Sequence, residues 1–496
     1  MKFPFTKNEI FFAAVYFVQA AVGISALAQF LFTRNELGLS FIELGILAAL
    51  PTISWSIKPI YGFLTDLVPI YGYRRRPYLH IMPLITMLSW LWIWQFADSF
   101  ISYAIPIMIA NIGLGFTDVI ADGLVVQQSD EKTAGRYQSI CWGSLTVGAI
   151  ITTFLSGLLI GRDIVSIKGM FLITALIPLI TFTLSFFIKE RRISDRSELK
   201  THKAISPSYI YTAVLAFIVT IVLLSPYEGQ NMATASFGVI GIWFVWFGGY
   251  FKHLMDIKII GKSIFAAAIF IFFWRFTPSF GAPWSDYLLN QVGVDQETFG
   301  YFGVVSYIGW LIGSILFAKY FDKFNLKKVL LWTIVLSAIL GLSQLGLTKI
   351  ELGNAIGSNV IIKYVGAVIS APVFLIAQGR DFWTHLMQYD GLIFLNFFLD
   401  FFLGILYMIS FLALLKFVAL STPRNLEGTN FAVFASIMNF GLVFGSISGG
   451  YIYEHIQHGM FGINGLQITV LLGAITSLIA LIVLPWIKTD HMAHES

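Results

Sequence analysis

Charge is what this chain has least of: 12% of its 496 residues are Asp, Glu, Lys or Arg, while 57% are hydrophobic and the mean hydropathy is +0.79. Soluble domains carry about a quarter charged residues, so the composition excludes one. Polar stretches long enough for a soluble domain are missing too, and so are the alternating segments of a β-barrel. A single cysteine, Cys141, excludes an internal disulfide. No CxxC, HExxH, Walker A loop or nucleophile elbow occurs, which leaves metal, redox and membrane-enzyme chemistry without support. The close pairs His455/His458 and His491/His494 read as solvated loop residues rather than ligands, so no metal or cofactor is expected. The net charge of +4 is read as orientation of a membrane chain and not as an affinity for nucleic acid.

What the chain has in abundance is apolar runs of about 20 residues, the length of a bilayer-crossing helix. The expectation is an all-α polytopic membrane protein. Spans are placed at 10–32, 41–65, 77–97, 100–127, 137–160 and 168–188, then at 207–225 and 236–251, then at 263–290, 298–319, 328–347, 391–415, 429–453 and 466–487. Ala26-Leu27-Ala28 is similar to a signal-peptidase site, but the first run continues to Phe32 and reads as an uncleaved helix. The expected units are an N-terminal six-helix bundle (1–188), a basic cytoplasmic linker (189–206), an extra helix pair with its linker (207–262) and a C-terminal six-helix bundle (263–496). An inserted segment, 349–390, interrupts the last of these. With the termini cytoplasmic, most cations, including Arg74, Arg75, Arg76 and Lys416, fall on the inner face, as the positive-inside rule requires. That holds only if the apolar run 359–378 does not cross, so it is expected to be re-entrant or surface-lying, leaving about 14 crossings.

Polarity is concentrated in a few places. YGFLTDLVPIYGYRRRP, Tyr61 to Pro77, holds Gly62-x-x-x-Asp66 followed by three arginines. It resembles the loop between the second and third helices of the major facilitator superfamily. Ala318-x-x-x-Asp322 before Lys327 and Lys328 repeats the pattern in the second half, which points to two related bundles. A small residue permits close helix approach, and an aspartate that exchanges charge-assisted hydrogen bonds forms a conformational latch. Arg136, Asp322 and Glu427 are grouped with Gly62, Asp66 and the three arginines as gating candidates; lipid anchoring is the simpler role for the arginines.

Charges inside spans are functional candidates. Lys58 lies about 12 Å deeper than Asp66 by helical rise and Arg275 about three turns into its span, neither with an acid beside it in sequence. They are expected to hold an anionic substrate, the alternatives being snorkelling for Lys58 and a structural ion pair for Arg275. Asp118 and Asp122 share a helix face, and two carboxylates in low dielectric do not both ionise cheaply, so one is expected to carry a proton. Pairing with Lys58 or Arg136 is the equal alternative. Asp400 is the comparable acid of the second half, and Asp286, three turns after Arg275, is read as a proton carrier or counter-ion. Trp55, Trp274, Phe276 and Phe280 neighbour the two cations and are candidates for stacking on a ligand ring, packing being the plainer role. Pro278, Gly281 and Pro283 rule out a regular helix after Arg275.

The segments KPIYGFLTDLVPIYGYRRRPYL, DVIADGLVVQ, RFTPSFGAPWSDYLLN and LEGTNFAVFASIMNFG, in that order, are similar to signatures of the folate–biopterin transporter family. That resemblance implies a major facilitator fold and proton-linked uptake of folate or pterins. Another organic anion, a nucleoside-like metabolite or export are the alternatives. The chain departs from the resemblance in having more than about twelve spans, and in Asp286, where an aromatic or small residue is expected. The remaining expectations are a lipid-embedded monomer in the plasma (inner) membrane, with small molecules and protons as its partners.

Overall fold

The computed structural model describes residues 6–128, 134–188, 190, 192, 207–224, 230–256, 262–420, 427–460 and 462–486, and these are almost wholly helical. Sequence-local signals set the helix starts. Thr6 with Glu9 and Ser40 with Glu43 form capping boxes that satisfy orphan backbone donors at the first two helices, and Asp295 and Asn325 cap two later ones.

In chain order the N-terminal bundle is α1 (Lys7–Glu36), α2 (Phe41–Ser56 resuming as Lys58–Leu67), α3 (Arg76–Phe96), α4 (Phe100–Gln128), α5 (Ala134–Gly161) and α6 (Ile167–Ser185). A helix pair follows, α7 (Pro207–Leu224) and α8 (Gln230–Asp256). The C-terminal bundle contains α9 (Lys262–Arg275 resuming as Gly281–Asp286), α10 (Gln296–Lys319), α11 (Leu326–Thr348), α12 (Ile350–Gly357), α13 (Val360–Gln378), α14 (Gly391–Leu420), α15 (Glu427–Ile456) and α16 (Gly465–Trp486). Eleven of the described helices are long and apolar enough to cross a membrane, α13 among them; α2 and α9 are interrupted, and the apolar windows of α7 and α8 are shorter.

Both interruptions have prolines at their root. Pro59 has no N–H to give the Trp55 carbonyl one turn back, so α2 breaks at Ile57, and Asn439 of α15 donates to that carbonyl at 3.1 Å. In α9, Phe276–Phe280 leave the helix around Pro278, and the freed Ser279 N–H donates to the Gly445 carbonyl of α15 at 2.8 Å. Non-helical backbone persists at this depth because protein, not lipid, covers it.

The bundles meet along two seams, α2 against α15 and α5 against α10. If α12 and α13 are set aside, each seam joins the second helix of one bundle to the fifth of the other, the pattern of a pseudo-two-fold axis. Tight approach needs small residues: a Cβ added at Gly157 of α5 would lie 3.0 Å from both the Gln296 carbonyl and the Gly300 Cα of α10. Ion pairs close the same end of the molecule, the one opposite the termini. Arg34 pairs with Asp286 at 3.0 Å, and Arg162 grips Glu297 in two-pronged fashion at 2.9 and 2.8 Å.

Candidate substrate and coupling site

Side chains of α1, α2, α4 and α5 build the N-terminal half of the site. Asp118 of α4 accepts from the Lys58 ammonium and, at 2.5 Å, from Gln19 of α1. One turn further along, Asp122 accepts from the Tyr16 hydroxyl. The Lys58 ammonium also sits 4.5 Å from the centre of the Trp55 ring, and the Trp55 indole donates to Asn111 at 2.9 Å. Lys58 is therefore not a cation without a local acid. Its partner is 60 residues away in sequence and becomes adjacent only when α2 packs on α4. Of the two roles open to Asp118, the structure shows pairing with Lys58; Arg136 instead pairs with Glu9 at 2.6 Å, joining α5 to α1.

Rings dominate the C-terminal half. Arg275 donates to the Tyr407 hydroxyl at 2.8 Å and lies 5.7 and 5.5 Å from the Trp274 and Tyr407 ring centres. Among the described residues no carboxylate pairs with it. Trp310 stacks on Tyr407 at 4.7 Å, Tyr407 on Phe411 at 6.0 Å, and the Trp274 indole donates to Ser410 at 3.0 Å. The two halves touch: Trp142 of α5 stands between Tyr16, at 6.3 Å, and Phe411 of α14, at 5.7 Å. A continuous path of contacts thus runs from Asp122 through Tyr16, Trp142 and Phe411 to Arg275 and its rings. At 1.5 Å per residue, Tyr16, Asp122, Trp142 and Phe411 lie about 9–14 Å in from the helix ends on the termini side, and Arg275 about 20 Å.

Other expected site residues lie elsewhere. Phe276 stacks on Phe272 and packs edge-on against Phe444, serving α9–α15 packing, while Phe280 packs on Trp284 within α9 and lies against Gly473 of α16. Asp286 does not share a face with Arg275, because the helix is broken between them; its partners are Arg34 and Asn290, at the closed end of the molecule. Asp400 is held by Asn396 one turn earlier in α14, at 2.8 Å. Gly62 packs against Val119 of α4. The side chains of Asp66 and Glu427 lie outside the described residues.

The arginine triplet is organised by Glu190, an acid within the basic segment after α6. The Glu190 carboxylate accepts from the backbone N–H groups of Arg74, Arg75 and Arg76 at 2.8–3.2 Å, capping α3. The Arg75 side chain donates to the Gly123 carbonyl at the end of α4. In the second half, Asp322 pairs with Lys416 of α14 at 2.8 Å.

The sequence profile of the BT1 family matches residues 20–357 and 392–496. The chain belongs to the BT1 family. It is 27% identical over 479 residues to the folate-biopterin transporter of Synechocystis sp., covering 96% of this chain and 80% of the relative. It is 25% identical to the probable folate-biopterin transporter 5 of Arabidopsis thaliana, over 82% of this chain and 67% of the relative. The fold of this BT1-family chain is that of the major facilitator transporters. It superposes on the POT family transporter PepTSo with a TM-score of 0.63 at 12% identity, covering 99% of both chains, and on a D-xylose-proton symporter with 0.60 at 14% identity, covering 97% of both. The BT1 match runs through α7 and α8 without a break but stops at 357 and resumes at 392, leaving out α13.

Proposed function

We propose that this BT1-family chain is a secondary active transporter that carries folate or a biopterin-type pterin across the bilayer by alternating access, coupled to protons. Relatives named as folate and folate-biopterin transporters support the cargo. The observation that carries the site is the Arg275 guanidinium, without a carboxylate partner among the described residues, set among Tyr407, Trp274 and Trp310 and joined through Trp142 to the acids of the other bundle. A planar heterocycle fits ring faces and an anionic tail fits the guanidinium. Asp122, held by a phenol instead of a cation, is the proton carrier, with Asp400 its counterpart in the second bundle. Asp118 then keeps Lys58 neutralised until substrate or proton arrives.

Fourteen crossings follow if α2, α7, α8 and α9 are counted and α13 is not. The cation bias supports cytoplasmic termini in a plasma (inner) membrane, and a monomer is the simplest functional unit. Proteoliposomes should accumulate labelled folate or biopterin when the outside is acidified and lose it on adding a protonophore; absence of uptake under any gradient refutes the reading.

One observation favours a second cargo. With Lys58 paired to Asp118, Arg275 is left as the cation facing the rings, which suits a singly charged or nucleoside-like ligand better than the two carboxylates of folate. Thermal stabilisation across a panel of pterins, nucleosides and organic anions separates the two.

A further inference from the structure

Helix α13 is apolar enough to span a membrane, yet its contacts place both of its ends near the closed end of the molecule. Gly366 packs against the backbone of Phe394, near the start of α14, and Phe374 packs against Tyr389, just before α14, and Tyr301, near the start of α10. At its far end the Ala377 carbonyl accepts from Arg162, just past the end of α5, at 3.0 Å. The helix therefore crosses from the C-terminal bundle over the α5–α10 seam to the N-terminal bundle. Its outward stripe of Val360, Ile361, Tyr364, Val368, Leu375 and Ile376 is exposed, an apolar face suited to lipid.

The contacts at its far end close a ring. Phe374 packs edge-on against Tyr301 at 4.9 Å, the Tyr301 hydroxyl donates to Glu297, Glu297 pairs with Arg162, and Arg162 returns to the Ala377 carbonyl three residues along the same helix. Both partners of the seam's ion pair are thus held by α13, one through Tyr301 and one directly. The segment also leaves and rejoins the bundle at one point: a Cβ at Gly357 would overlap the Gly391 carbonyl, so the residues bounding the segment are in contact. The interruption of the family match, 358–391, starts directly after Gly357 and ends at Gly391.

We propose that α13 is a strap, mounted on the C-terminal bundle, that holds the α5–α10 seam shut and biases the transporter toward the state closed at the end opposite the termini. It rests on the alternating-access reading, but its test needs no substrate, so the two can fail separately. Because Gly357 and Gly391 touch, residues 358–390 can be replaced by a two-glycine link without stretching the bundle. Spin labels at Asp98→Cys and His458→Cys, in a Cys141→Ser background, report the separation of the bundles at that end by electron–electron distance measurement in nanodiscs. The strapless chain should shift most of its distance distribution to longer values than the full-length chain, and Phe374→Ala in the full-length chain should shift it part of the way. Superimposable distributions for the full-length and strapless chains overturn the proposal. If the strapless chain does not fold, a Phe374→Ala distribution identical to the unsubstituted one overturns it as well.

Discussion

Asp118 is the residue on which the N-terminal half of the site turns, because it accepts from both Lys58 and Gln19. Removing its charge leaves an ammonium unpaired inside the bundle, a change that costs about 3–5 kcal/mol where the partner is fully buried. Lys58 keeps 17% of its side chain exposed, so the expected loss is toward the lower end of that range. Asp118→Asn should lower the thermal midpoint, and Lys58→Met with Asp118→Leu should recover most of it; equal midpoints for Asp118→Asn and the parent would show that the pair is not a buried ion pair. Asp122→Asn keeps an acceptor for Tyr16, so folding should be unchanged, while gradient-driven accumulation is lost and substrate exchange persists. Retained accumulation would remove Asp122 as the proton carrier. The sequence makes the shared face of Asp118 and Asp122 legible, since four residues is one helical turn. It leaves proton carriage and pairing with Lys58 or Arg136 as equal alternatives for these acids and does not bring Trp142, Trp310 and Tyr407 toward Arg275, because those contacts depend on how separate helices pack and no local pattern marks them.

At the scale of elements, prolines decide where helices open and glycines decide where they touch. Pro278 makes the break in α9 readable in advance, and the structure adds what the sequence could not: α15 supplies the carbonyl that satisfies the freed backbone. Pro59 opens α2 by the same rule. Its consequence is the hydrogen bond from Asn439 to Trp55, which ties the bundles together beside Lys58. The α5–α10 seam makes a sharper test. Gly157→Leu would drive a side chain into the Gly300 backbone, so the seam cannot close. A cysteine at Thr153, which faces Gly303 across the seam, should then react several-fold faster with a membrane-impermeant maleimide applied from outside; an unchanged rate means the seam is not the moving part. The length and composition of α13 make it a candidate span, whereas the charge distribution favours placing it on one side of the membrane; its contacts with Phe394 and Arg162 lie at the closed end.

For the whole molecule, the weights of the contacts matter more than their number. Partly exposed ion pairs such as Arg34–Asp286 and Arg162–Glu297 contribute about 0–1 kcal/mol each. Reversing a two-state equilibrium from 1:99 to 99:1 takes about 5.5 kcal/mol, so such pairs bias the closed state without locking it. A carrier needs that balance, since ligand and proton must be able to tip it. The two bundles and the helix pair between them were visible in hydropathy and charge, because the bilayer imposes length and sidedness on the sequence. The identity of the seams was not, since it follows from a pseudo-symmetric packing that hydropathy does not encode. The central claim is that one ligand site is shared by both bundles, with Trp142 contributed by the first and Arg275 by the second. Equilibrium binding of folate and biopterin to the parent protein, Trp142→Ala and Arg275→Gln, all in nanodiscs, tests it most directly. Each substitution should weaken binding of the transported ligand by about tenfold or more, roughly 1.4 kcal/mol; unchanged affinity in either folded variant contradicts a shared site.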